Sequence, residues 1–304
     1  MGYLFLSKIC EGENVMKVLV LGGTRFFGVH MVREFLRQGD DVTIATRGLR
    51  QDEFGDSVNR VTIERSSNES LAKAFAGKTY DIICDNISYC SNDVKALLEN
   101  VKCKRYIMTS SASVYDFKLN TKEEDFNPYI NELKWCTSQD FTYDEIKRQA
   151  ETAIFNHYTA QDAAAVRFPY VIGNDDYTKR LYFYVDHIVN SKAMNIDNFD
   201  EQIAFIRSDD AGKFLVYLAK SSFTGPINAC AEGTITIKEI IDYVENKANV
   251  KAIYDNNGEN GAYNGTPSFY LNTEKAESIG YKFMPLKSWI YELLDEFIAC
   301  AKNN

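Results

Sequence analysis

Two kinds of apolar run alternate along the chain: continuous aliphatic stretches and stretches whose apolar positions recur at helical spacing. MKVLVLGG, residues 16–23, has an aliphatic run without polar alternation and predicts a strand buried on both faces, as a parallel sheet requires. Phe27, Met31 and Phe35, with Val32 and Leu36, then mark one face of a helix, and Gly39 is placed to end it. DVTIATRG, residues 41–48, reads as the second strand, and further strands are predicted over 60–64, 80–86, 104–110 and 163–169. Helical stretches at 69–76, 92–101 and 141–158 lie between them. Strands and helices alternating in this way predict an α/β fold, a doubly wound parallel sheet with right-handed crossovers. After residue 170 the runs shorten. Helices are predicted at 209–221 and 236–248, and 255–268 reads as a loop. The expected organisation is an extension over 1–15, a cofactor-binding domain over 16–170, and a smaller mixed region over 171–304. That last region packs on the domain, with scope to return elements to it, and is mainly substrate-binding.

Composition narrows the function classes. The chain is 45% hydrophobic and 25% charged, ordinary for a globular protein, and its net charge of −9 disfavours binding to a phosphate backbone, so nucleic acid is not an expected partner. No apolar run approaches the roughly 18 residues of a membrane span, and residues 1–15 lack the features of a secretory signal. Cys10, Cys84, Cys90, Cys103, Cys136, Cys230 and Cys300 are odd in number and form no C-x-x-C pair, which points to reduced thiols and a cytoplasmic location. His30, His157 and His187 are too scattered to suggest a metal site with them.

The candidate chemistry begins at LGGTRFFG, residues 21–28, between the first strand and the first helix. A turn in that position gathers backbone N–H groups and the positive helix end at one point, which suits a pyrophosphate. Gly22 allows the tight turn and Gly28 the close approach of helix to strand, with Gly23, Thr24, Arg25, Phe26 and Phe27 completing the loop. Arg25 stands where the middle glycine of G-x-x-G-x-x-G belongs. An NAD site places a carboxylate at the end of the second strand, whereas here Thr46 and Arg47 occupy it. Arg47 and Arg25 suit a 2′-phosphate, so NADP is favoured over NAD; the alternative is that both are solvated loop residues.

MTSSASVYD, residues 108–116, brings hydroxyls to the carboxyl end of the fifth strand, and Tyr143 and Lys147 lie four apart on one face of the helix that follows. With GGTRFFG, SSASVY, YDEIK and RFPYVIG in this order over residues 16 to about 175, and YLNTEKAESIGYKFMPL near the end, the chain resembles the extended branch of the short-chain dehydrogenase/reductase superfamily, which includes sugar-nucleotide epimerases and dehydratases. The GGTRFFG form is similar to an atypical subgroup that also contains chloroplast stem-loop-binding proteins.

The resemblance implies a Rossmann fold with Ser111 as the catalytic hydroxyl, Tyr143 as acid/base and Lys147 as its partner, also holding the nicotinamide ribose. An ammonium near Tyr143 would favour its phenolate. It implies an NAD(P)-dependent epimerase or oxidoreductase acting on a small molecule such as a sugar nucleotide, and is compatible with a homodimer. Family dehydratases carry an Asp-Glu pair after the catalytic hydroxyl; Ala112 and Ser113 stand there, which disfavours that elimination. Lys179 and Arg180 are candidates for a substrate phosphate or for a solvated face, and Asp209 and Asp210 read as helix N-caps. Two other classes stay open, a non-catalytic NAD(P)-binding regulator or sensor and an RNA-binding protein on the same fold.

Overall fold

The computed structural model describes residues 15–303, so the proposed extension, apart from Val15, lies outside the described residues, as does Cys10. The aliphatic runs form β1 (Lys17–Leu21), β2 (Asp41–Thr46), β3 (Asn59–Thr62), β4 (Thr79–Asp85), β5 (Lys102–Ser111) and β6 (Asp162–Phe168). Between them run α1 (Phe27–Arg37), α2 (Asn68–Phe75), α3 (Ser91–Asn100) and α4 (Tyr143–Thr152). With a seventh strand, Gly225–Asn228, they build one parallel sheet in the order seventh strand, β6, β5, β4, β1, β2, β3. The order reverses between β1 and β4, and a ligand crevice belongs over the carboxyl ends of the strands at such a point.

Alternate residues of each strand feed two cores, because successive side chains point to opposite faces. Val18 and Val20 of β1 pack with Met31 and Phe35 of α1 on one side. Leu19 and Leu21 pack with Leu71 of α2 and Leu97 of α3 on the other. Each such side chain contributes about 1.5–3 kcal/mol by leaving water. Gly39, with φ 82°, turns the chain out of α1. The helix predicted over 141–158 starts at Tyr143 and widens into a π-turn over Ala153–His157.

The C-terminal part adds α5 (Arg180–Val189), α6 (Ser208–Lys220), α7 (Ile237–Ala248), α8 (Glu274–Ser278) and α9 (Ile290–Lys302). Tyr184 and Ile188 of α5, Ile240 and Ile241 of α7, and Leu294 of α9 share a third core. Two stretches return to the sheet: α6 packs on α1 through Phe214 and Leu215, and Gly225–Asn228 extends it beyond β6. GPIN is short and holds a proline, so it carries no strand signal; at the sheet edge the missing N–H of Pro226 costs no ladder bond. Asp209 and Asp210 are not the caps of α6. Arg207 takes that position, and both aspartates sit in the first turn, Asp209 against Arg207 and Lys213, Asp210 accepting from the Tyr281 hydroxyl at 2.6 Å.

Candidate active site

The turn after β1 explains its own composition. Gly22 has φ 81°, in the left-handed region, and a Cβ there would lie 2.9 Å from the Ile87 side chain. A Cβ on Gly28 would stand 2.1 Å from the Gly22 carbonyl oxygen, so only glycine lets α1 approach this closely. Gly23 packs beneath the turn, where a Cβ would meet Val20 and Val32 at 2.9 Å. The other positive φ of the turn falls on Phe26 (53°) and not on Arg25, which is why the middle position needs no glycine. Such a conformation costs on the order of 1–3 kcal/mol and is held by packing. Phe26 is buried, with its ring 5.4 Å from that of Phe27 and 6.1 Å from that of Tyr177. No side chain caps α1, and the N–H groups of Gly28 and Val29 donate to the carbonyls of Arg25 at 3.1 Å and Phe26 at 2.9 Å, so what this end offers an anion is the positive pole of the helix. The cradle fits a dinucleotide pyrophosphate.

A cleft of about 1280 Å³ opens over this turn. Gly22, Thr24, Arg25, Phe26 and Phe27 line it at the turn, Arg47 at the end of β2, and Ser111, Tyr143, Lys147 and Arg180 farther along. The Arg25 guanidinium lies 5.1 Å from the centre of the Tyr177 ring, which also borders the cleft. Asn86 ties β4 to the turn, donating to the Gly22 carbonyl at 3.5 Å and accepting from the Thr109 hydroxyl at 2.8 Å. Lys179 is not among the lining residues. It has φ 53°, and its ammonium faces the Tyr182 ring at 5.6 Å.

Ser111 ends β5, its hydroxyl accepting from the Ser113 N–H at 3.2 Å, and Tyr143 begins α4; both side chains line the cleft. Tyr143 turns half of its surface towards the cleft. Burial of the hydroxyl pushes its pKa up, the neighbouring Ser111 hydroxyl pulls it down, Tyr89 and Tyr177 raise it and the Arg180 charge lowers it; the net direction is upward. Lys147, one turn on, is 2% exposed and donates to the carbonyls of Ser88 at 2.7 Å and Thr109 at 2.9 Å. Burial brings its ammonium down to about 8. Arg180 is among the charges that lower the Tyr143 phenol, and its guanidinium lies 4.8 Å from the centre of the Tyr170 ring.

Behind Ser111 lies a charged network with no access to solvent. Arg167 of β6 pairs with Glu151 of α4, both fully buried, with Nη2 to Oε2 at 2.5 Å. Arg167 also donates to the Tyr115 hydroxyl at 2.7 Å and to the carbonyls of Glu123 at 2.8 Å and Phe126 at 3.1 Å. Ser110 donates to Glu151, and Tyr115 donates to Asn228 of the seventh strand at 2.7 Å. Sequence reasoning did not find this network, nor Tyr177 or Asn86; none stands in a short pattern, and only folding brings them to the cleft. Among the described residues, no group of His, Cys, Asp and Glu is arranged to hold a metal, and no helix is long and apolar enough to cross a membrane.

Comparison with known proteins bears on the fold and the family. Chloroplast stem-loop binding protein of 41 kDa b from Arabidopsis thaliana is 28% identical over 128 residues, 38% of this chain, so the match spans about a third (33%) of that relative's length. UDP-glucuronic acid decarboxylase 6 from the same plant is 24% identical over 262 residues, 77% of this chain and 74% of the relative. Among solved structures, UDP-glucose 4-epimerase from Thermotoga maritima with UDP-glucose superposes with a TM-score of 0.73 at 14% identity, covering 95% of this chain and 99% of that one. UDP-glucose 4-epimerase from Thermus thermophilus in complex with NAD gives 0.67 at 15%, covering 93% and 99%. At these identities the superpositions establish the fold. Residues 18–230, from β1 to just beyond the seventh strand, match the NAD dependent epimerase/dehydratase family, and the chain belongs to that family.

Proposed function

We propose that the protein is an NADP-preferring epimerase or oxidoreductase acting on a sugar nucleotide or a related hydroxyl or ketone substrate. The observation that carries this reading is the meeting of Ser111, Tyr143 and Lys147 in the same cleft as the glycine turn. A bound nicotinamide supplies hydride exchange with the substrate carbon. Tyr143 takes the proton of the substrate hydroxyl as that carbon is oxidised and returns it on reduction, while Ser111 holds the substrate oxygen. Lys147 contacts the nicotinamide ribose from the floor, and Arg180 meets an anionic group of the substrate.

Elimination of the Asp-Glu type has no support in this cleft. Ala112 and Ser113 follow Ser111, and the carboxylates lining the cleft are Glu64 and Asp93. Asp93 is occupied, accepting from the N–H groups of Tyr89 at 2.8 Å and Cys90 at 3.2 Å. The sugar-nucleotide class is supported by the UDP-glucose 4-epimerases that share the fold. A reducing, cytoplasmic setting suits the buried Cys84, Cys90 and Cys230, whose thiols burial pushes up, that of Cys90 to about 12.

The test is to incubate the protein with NADP or NAD and a panel of UDP-sugars while following reduced nicotinamide and product together. An epimerase converts sugar without net cofactor turnover; an oxidoreductase consumes cofactor in step with product. Failure to bind either dinucleotide sinks the reading.

Cofactor selectivity is a separate expectation. Arg25 and Arg47 both line the cleft, on the glycine turn and at the end of β2. Losing one charge-assisted pair to the 2′-phosphate weakens NADP by roughly tenfold or more, and NAD is hardly affected. Titration of both cofactors against Arg25→Ala and Arg47→Ala decides it: equal losses for the two cofactors, or a parent that prefers NAD, remove the arginines from phosphate recognition.

A further inference from the structure

Residues 173–179 join the short strand Tyr170–Ile172 to α5 and run between two open spaces. Tyr177 borders the cleft on one side and, on the other, a hollow of about 640 Å³ that reaches α1 and α9. With space on both sides and Tyr177 61% exposed, packing alone does not fix this segment. Polar contacts tie it down. Asp175 accepts a hydrogen bond from the Ser208 hydroxyl of α6 at 2.6 Å, and its other oxygen meets Nε2 of His30, on α1, at 3.0 Å. Burial pushes the Asp175 carboxyl up, His30 and Ser208 pull it down, and the net direction is downward. Two glycines make room for this junction: a Cβ on Gly173 would clash with the Ser208 hydroxyl oxygen, and one on Gly212 would lie 2.7 Å from the His30 Cβ. From the junction a chain of hydrogen bonds runs to the cleft. Asp176, next to Asp175 and buried, accepts from the Thr178 hydroxyl at 2.6 Å and from its N–H at 2.9 Å. The Thr178 oxygen in turn accepts from Nε of Arg180 at 3.1 Å.

We propose that Asp175 is a positioning residue: held by His30 and Ser208, it keeps the 173–179 segment in place and thereby sets the Arg180 guanidinium in the cleft. An arginine side chain has several rotatable bonds, and fixing it before a ligand arrives removes an ordering cost from binding. Thr178 takes Nε and the Tyr170 ring backs the guanidinium, so the two terminal nitrogens are the ones turned to an anion. Asp175 lines the hollow and not the cleft, so its effect on a ligand passes through the segment. This inference rests on the substrate role of Arg180 proposed above and adds to it the device that holds the arginine.

The experiment combines amide hydrogen exchange with titration of UDP, an anionic probe, into the protein with NADPH present. Asp175→Ala, Arg180→Met and the double variant are compared with the parent. Asp175→Ala is expected to speed exchange over residues 173–181 by about tenfold or more, with exchange in the central sheet unchanged. UDP affinity falls by about tenfold in each single variant, and NADPH affinity holds. The double variant binds UDP no more weakly than Arg180→Met alone, because one residue acts through the other. Unchanged exchange over the segment overturns the proposal, and so do additive losses of UDP affinity, which would separate Asp175 from Arg180. Faster exchange throughout the chain also overturns it, since Asp175 would then be a support of the whole fold. A parent that binds NADPH and not UDP refutes the substrate role of Arg180 itself, and the role of Asp175 falls with it.

Discussion

Tyr143→Phe lowers turnover on the order of a hundredfold to ten-thousandfold, the range typical for loss of a positioned acid/base, and leaves cofactor affinity nearly unchanged. The phenol sits at the start of α4, in the same cleft as Ser111 at the end of β5, while the pyrophosphate cradle belongs to the turn after β1. The substitution removes one oxygen and keeps the ring in place, so the walls of the cleft are preserved. Ser111→Ala is expected to act in the same direction by a smaller factor, because it deletes the hydroxyl that lowers the Tyr143 pKa without deleting the group that moves the proton. Single-turnover measurements with saturating cofactor separate the two steps. Full turnover in Tyr143→Phe would remove that residue from the chemistry, whereas a parallel loss of cofactor binding would show that it builds the site and does not work in it.

Arg167→Met destabilises the fold by about 3–5 kcal/mol, because it leaves the Glu151 carboxylate buried without its cation. For a chain of this size the melting temperature falls by on the order of 10 °C. The loss is larger than a surface ion pair would produce, since Arg167 and Glu151 are both wholly shielded and every guanidinium nitrogen has a partner. Adding Glu151→Gln to the first substitution recovers much of the stability, because a neutral amide tolerates burial beside Ser110 where a lone carboxylate does not. Thermal melts of the two single variants and the double form the cycle that isolates the coupling. Additive losses would show that the pair is not the source of the effect. Ser110 adjoins Ser111, so slower turnover in Arg167→Met at temperatures where it stays folded would place the network behind the geometry of the reacting hydroxyl.

By itself the sequence determined what depends on neighbours in the chain. Unbroken aliphatic runs such as that of β1 can be buried on both faces only in a parallel sheet, and the helical spacing of Met31 and Phe35 puts an apolar stripe on one side of α1. The glycine turn, the hydroxyls at the end of β5 and the four-residue step from Tyr143 to Lys147 are local too, so the candidate site was legible from Gly22 to Lys147. Tertiary structure alone decided what depends on contacts across the chain. No spacing announces that Tyr177 stacks under Arg25, or that Lys179 turns from the cleft while its neighbour Arg180 enters it. Arg65 and Asp85, hydrogen-bonded to each other, lie 20 residues apart, and Arg167 gathers Glu151 of α4 with Tyr115, Glu123 and Phe126 from the stretch between β5 and α4. A buried charge takes its role from whatever groups satisfy it, and folding chooses those groups; periodicity records only which residues leave water, and a single short turn records only the backbone it requires.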